Sequence, residues 1–156
     1  MPTEDMIILD IDNCIADDEW RIPRIEWRFK NPMMRYHAYH ALAPWDNCRN
    51  QRLFRDKKCL VLTARPLLYR VMTEEWLRRC GVQIKQLVMR NNNDHGSSLR
   101  IKTQQLQWLV NLYGVKLEEI EMAYDDRPEI VTMYREHGLQ AEVRAIHNTT
   151  SYDSRG

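Results

Sequence analysis

The chain has 156 residues, 44% of them apolar, with 23 basic against 22 acidic residues and a formal net charge of +1. That length suffices for one domain with a proper core, and the balanced charge carries no global signal for nucleic acid or membrane. No apolar run reaches the ~18 residues of a membrane span. The charged MPTED start lacks a basic region followed by a long apolar one, so no signal peptide is read and a cytoplasmic location is expected. Cys14, Cys48, Cys59 and Cys80 are scattered without a CxxC pair, which favours reduced thiols over a zinc site.

In chain order, Met6-Ile7-Ile8-Leu9 leads into Asp10-Ile11-Asp12 and predicts a strand buried on both faces. Residues 16–55 follow, a connection far longer than an ordinary one. It carries Trp20, Trp27, Phe29, Tyr36, Tyr39 and Trp45, so it predicts a small, partly helical inserted cap over the strand ends. The run Cys59-Leu60-Val61-Leu62, ending at Thr63-Ala64-Arg65-Pro66, predicts the second strand. Leu68, Val71, Met72, Trp76 and Cys80 then mark the buried side of a helix stopped by Gly81. Gln86 to Met89 predicts a third strand. The polar loop from Asn91 to Gly96 precedes a helix over 98–113, closed by Gly114. Glu121 to Tyr124 predicts a fourth strand, running into Asp125-Asp126. Pro128 opens and Gly138 closes the next helix, and Ala141 to Ile146 predicts a fifth strand. The alternation indicates an α/β, Rossmann-like parallel sheet with helices on both faces. Its core would be residues 1–15 and 56–148, with a frayed tail over 149–156.

Four polar clusters fall where strands end or helices begin: Asp10/Asp12, Thr63/Arg65, Lys102 and Asp125/Asp126. In an open parallel sheet those ends form the ligand crevice. Closely packed carboxylates repel one another and would repel a phosphate dianion still more, so they imply a cation. Asp125 and Asp126 add hard oxygen ligands that suit Mg²⁺. Lys102 adds a second positive charge and Thr63 a hydroxyl donor. Together these parts can neutralise a phosphoryl group and hold it in line with a carboxylate nucleophile. A DxD at a strand end also serves as a turn, a lone Thr or Lys is ordinary surface chemistry, and DDRP is also a helix start. The reading rests on all four in a consistent order along one sheet edge.

The motifs IILDIDNC, LVLTAR, Lys102 in SLRIKTQQLQWL, and MAYDDRP resemble those of the haloacid dehalogenase superfamily of phosphatases. LVLTARP, Met89-Arg90 before an Asp-containing loop, Lys102 and YDDRPEIVTMYREHG are most similar to the phosphatase domain of phage polynucleotide kinase/phosphatases. No GxxxxGK[ST] kinase motif occurs. The resemblance implies that Asp10 is the nucleophile and Asp12 the general acid/base. It implies Mg²⁺ held by the Asp10 carboxylate, the Asp12 carbonyl, Asp125 and Asp126, and phosphoryl oxygens held by Thr63 and Lys102. Two positions depart from the usual DxDGT. Asn13 stands for Gly, which Asn can replace because it tolerates left-handed backbone; Cys14 stands for a small hydroxyl residue.

Between Trp20 and Arg55 eight basic residues, Arg21, Arg24, Arg28, Lys30, Arg35, Arg49, Arg52 and Arg55, face two acidic ones, Glu26 and Asp46. Basic side chains interleaved with aromatic ones suit a nucleotide or a single-stranded end, although a solvated basic face gives the same pattern. His37 and His40 read as part of an aromatic cap helix, His95 as a residue near substrate, and His137 and His147 as incidental. The expected partner is a nucleotide or polynucleotide phosphomonoester, with Arg65, Arg90 and Asp94 on the substrate side. Similarity to the polynucleotide 3′-phosphatase domain favours 3′-phosphate ends. IAD after the first motif, with DDRP, also resembles 5′(3′)-deoxyribonucleotidases acting on free mononucleotides. The alternative of another class is a nucleic-acid or nucleotide binding module without turnover, for which the second carboxylate of the first motif would serve no purpose.

Overall fold

A computed structural model describes residues 5–148; the expected frayed tail lies outside them. The strands are β1 Met6–Leu9, β2 Ala16–Asp17, β3 Asn47–Cys48, β4 Lys58–Pro66, β5 Gln83–Arg90, β6 Ile120–Asp125 and β7 Ala141–Val143. The helices are α1 Pro32–Arg35, α2 His37–Ala41, α3 Arg70–Arg79, α4 Ser98–Asn111 and α5 Pro128–Glu136. The order β5-β4-β1-β6-β7 forms one sheet, and every pairing in it is parallel. This is the expected Rossmann-like α/β fold, with β1 at its centre.

Side chains alternate across β1 because the strand period is two. Met6 and Ile8 pack with Leu106 and Leu109 of α4 and Ile130 and Tyr134 of α5. Ile7 and Leu9 pack on the other face with Trp76 and Leu77 of α3 and with Ile15, Ala16 and Phe54. Both faces are therefore covered, as the unbroken apolar run requires.

Two elements differ from expectation. The buried side of α3 is Thr73, Trp76 and Leu77, whereas Leu68 and Val71 are exposed. A 3-10 turn over Leu67–Tyr69 precedes the helix, so Leu68 lies before α3 and the packed face is rotated away from Val71. The last strand stops after Val143, where one more bond reaches β6 and the chain then turns to Asn13. Arg144 N donates to Asp125 O at 2.9 Å and Ile146 N to Asn13 O at 2.9 Å.

The segment between β1 and β4 leaves and returns through a two-residue antiparallel ladder, with Ala16 opposite Cys48 and Asp17 opposite Asn47. Between these strands lie a 3-10 helix over Glu19–Arg24, α1, α2 and a turn over Ala43–Trp45. Ile25, Tyr36 and Tyr39 form its own small buried cluster.

Candidate active site

Asp10 follows the last residue of β1, and Asp125 ends β6. The register pairs Leu9 with Tyr124, so the two carboxylates arrive side by side, with Asp126 next in line. Ligand oxygens of Asp10, Asp125 and Asp126 all lie within 4.8 Å of one another. Lys102, in α4, is buried among them and donates to Asp10 Oδ1 at 2.6 Å and Asp125 Oδ2 at 2.5 Å. Burial alone would lower the Lys102 pKa, but Asp10 and Asp125 raise it well above the ordinary value, so it stays charged. Burial and the neighbouring Asp10 push the Asp125 carboxyl up to about 6, and the same causes push Asp126 well above the carboxylate range. One ammonium does not balance three carboxylates. The donor set, all hard oxygens around a shared point, fits Mg²⁺. Asp10 Oδ2 is buried and has no hydrogen-bond partner among the described residues.

Asp12 turns away from this acidic cluster. Arg21 donates to its Oδ1 at 2.6 Å, and Arg65 reaches both oxygens at 2.7 and 3.1 Å. Burial raises its pKa, but the Arg65 and Arg21 guanidiniums outweigh that and hold the carboxyl far below the usual range. Thr63 is buried at the far end of β4; its Oγ1 accepts from Arg65 N at 3.1 Å. Gln105 of α4 anchors the same position by donating to Thr63 O at 2.8 Å. Asp10, Asp12, Thr63, Arg65, Arg90, Lys102 and Asp126 line one half-open pocket, and Tyr36, Tyr39 and His40 contribute to its wall.

The family model for the polynucleotide kinase PNKP phosphatase domain matches residues 4–144. The chain belongs to that family. It is a phosphatase, a hydrolase of the haloacid dehalogenase type. A chain of the Pnkp1/Rnl/Hen1 RNA repair complex is similar at 21% identity and TM-score 0.66, over 94% of this chain but 44% of that one. The phosphatase thus spans less than half the length of that relative. A Clostridium difficile protein matches at 15% identity and TM-score 0.63, covering 90% of this chain and 85% of its own. A haloacid dehalogenase-like hydrolase from Streptococcus pneumoniae matches at 10% identity and TM-score 0.62, over 92% and 85% of the two chains. These likenesses show the shared fold. A search of curated proteins gave no match.

In the phosphatase, Arg65 is buried and divides its guanidinium between Asp12 and Thr73 Oγ1, the latter at 3.2 Å. Arg90 is buried too, and donates to the carbonyls of Ala64, Asp94 and Gly96 at 2.8, 2.9 and 2.6 Å. Asp94 bonds Gly96 N and Arg100, so it shapes the loop before α4. Sequence reasoning placed Arg21 on a basic surface. The structure buries it completely, with donations to Asp12, Tyr39 O and both oxygens of Asp46. Asp46, one of two acidic residues between Trp20 and Arg55, was the available signal. His147 is not incidental: its Nε2 lies 2.6 Å from Asp18 Oδ1, and Asp18 also accepts from the Tyr39 hydroxyl. His37 bonds the Tyr69 hydroxyl at 2.7 Å and His40 packs against the Tyr36, Tyr39 and Tyr69 rings. His95 is exposed. Asn13 has φ 61°, the left-handed geometry for which its side chain is suited.

Proposed function

We propose that the chain is a Mg²⁺-dependent phosphomonoesterase that forms an aspartyl-phosphate on Asp10. The observation that carries this is the orphaned Asp10 Oδ2. Its partner oxygen is held by Lys102, so the carboxylate is fixed in rotation, and Asp10 lines the pocket. Asp10 Oδ2 attacks phosphorus, the ester P–O bond breaks, and the departing alkoxide takes a proton from the Asp12 carboxyl. Water then attacks the phosphorus of the aspartyl-phosphate, gives its proton to Asp12, and frees Asp10 and inorganic phosphate. Asp10, Asp125, Asp126 and the Asp12 carbonyl would hold Mg²⁺, which when bound neutralises the carboxylates and one phosphoryl oxygen. Lys102 and Thr63 hold the remaining phosphoryl oxygens. The two arginines on Asp12 favour its basic form, as the second half-reaction needs. A phosphoryl dianion beside Arg65 would draw that guanidinium off Asp12 and let it carry a proton for the first.

Residues 1–15 and 56–148 serve as the catalytic core and residues 16–55 as its cap. The substrate is a nucleotide phosphate, with 3′-phosphate ends of polynucleotides favoured. The family match supports this, as do Arg24, Arg28, Lys30, Arg49, Arg52 and Arg55, all exposed on the insert. Arg65 takes the phosphoryl side of the pocket, while Arg90 with Asp94 holds the loop that borders it. Asp10→Asn should abolish phosphate release from p-nitrophenyl phosphate with the fold intact. Substantial turnover by this variant, free of wild-type enzyme, would overturn the covalent route. The substrate class is tested by kcat/KM for a short 3′-phosphorylated oligonucleotide against 3′- and 5′-deoxynucleoside monophosphates. A mononucleotide winning tenfold would shift the reading to a nucleotidase.

A further inference from the structure

Asn13 occupies the position where the resemblance led us to expect glycine, and the structure gives its side chain four hydrogen bonds. Its Oδ1 accepts from Ile146 N at 3.1 Å and His147 N at 2.8 Å. Its Nδ2 donates to His147 O at 2.9 Å and to Asp126 Oδ2 at 3.1 Å. Its backbone adds a donation to Ala16 O and accepts from Ile146 N, both at 2.9 Å. The residue is 2% exposed, so these bonds do not compete with bulk water. The chain after β7 is thereby clasped to the turn after β1, and the same amide reaches a carboxylate of the acidic cluster.

We propose that Asn13 is a positioning residue for the cation site. By engaging Oδ2 of Asp126 it fixes the rotation of that carboxylate, and residues 146 and 147 in turn fix Asn13. Glycine at this position would keep the backbone turn but leave Asp126 to rotate, so the cation would be held less tightly. Groups that orient metal ligands in this way typically account for about 10–100-fold in affinity. The inference rests on the reading that Asp10, Asp125 and Asp126 bind a divalent cation.

The test is Mn²⁺ binding to the full chain, followed by the electron paramagnetic resonance of free Mn²⁺, for wild type and Asn13→Gly. Glycine is at home at the φ of 61° found here, so the variant keeps the turn. We expect one Mn²⁺ per wild-type chain, a Kd raised about tenfold or more in Asn13→Gly, and a kcat that recovers at saturating Mg²⁺. An unchanged Kd in the variant overturns the role of Asn13. Absence of Mn²⁺ binding by the wild type overturns the cation site itself, a distinct result. A second measurement needs no variant. The Asn13 side-chain NH₂ resonances of the wild-type chain should shift when Mg²⁺ is added, and resonances that stay put while Mg²⁺ binds overturn the proposal.

Discussion

Arg21 joins the insert to the site through one buried guanidinium. Its loss would leave the fully buried Asp46 side chain with the Trp20 indole N–H and half-release Asp12. Breaking a buried pair in this way costs about 3–5 kcal/mol. Arg21→Met should therefore lower stability by that order in urea unfolding. Lys57→Met removes the partly exposed pair with Glu121 and should cost under about 1 kcal/mol. Equal losses would show that Arg21 is no more than a surface partner. Asp125 gives a pH dependence of definite sign. Burial and Asp10 raise its pKa from 3.8 to about 6, so between those values the native state keeps a proton the unfolded chain has lost. Stability of the metal-free protein should fall as pH rises through that window. Asp12, whose pKa is depressed, acts in the other direction and only on acidification below its unfolded value of 3.8. Urea midpoints of EDTA-treated protein at about pH 4.5 and 6.5 check this; excess Mg²⁺ should flatten or reverse the slope, because it favours the ionised carboxylate.

At the level of elements, α4 carries Lys102 into the acidic cluster, so the start of this helix bears on the site. Ser97 caps it by accepting from Arg100 N at 3.1 Å. Ser97→Ala should cost about 1 kcal/mol in chemical denaturation, and a loss near zero would mean that Arg100 and Asp94 hold the turn without the cap. The strands behind Asp10 and Thr63 were legible in the sequence because both faces of the sheet are covered, leaving unbroken apolar runs that end in polar residues; β6, with Glu121 exposed, shows only the shorter run Met122 to Tyr124 before Asp125. The insert was less legible. β2 and β3 have two residues each, too few for a period-2 pattern to register. The buried side of α3 was misplaced only in part: Trp76 is buried and Cys80 packs against the core as expected, but Leu68 and Val71 share the apolar spacing yet face solvent, while Thr73, a polar residue, is inside. Arg21 escaped because a buried guanidinium looks like any other arginine until Asp12, Asp46 and the Tyr39 carbonyl are brought around it by tertiary contacts. His147 and the clasp at Asn13 depend on residues 113 to 134 positions apart, a distance over which local pattern carries no information.

For the whole molecule, β1 is made first and lies in the middle of the sheet. Its two neighbours are β4, which begins at Lys58, and β6, which begins at Ile120. A chain emerging from a ribosome therefore carries β1 with both edges unpaired, gains one partner with β4, and closes the second edge only once β6 has been made. An open apolar edge is a template for pairing with other chains. Nascent chains that stall before residue 120 should consequently be bound by chaperones or aggregate, and those released after β7 should not. A fragment ending at Val115 is expected to sediment as large particles while the full chain stays monodisperse; a soluble, monomeric fragment would show that the edge beside β1 is covered by some other part of the chain. The strand that leads into Asp10 is thus also the one most exposed to misassembly during synthesis, and the cost of placing Asp10 at the centre of the sheet falls on biogenesis rather than on the finished enzyme.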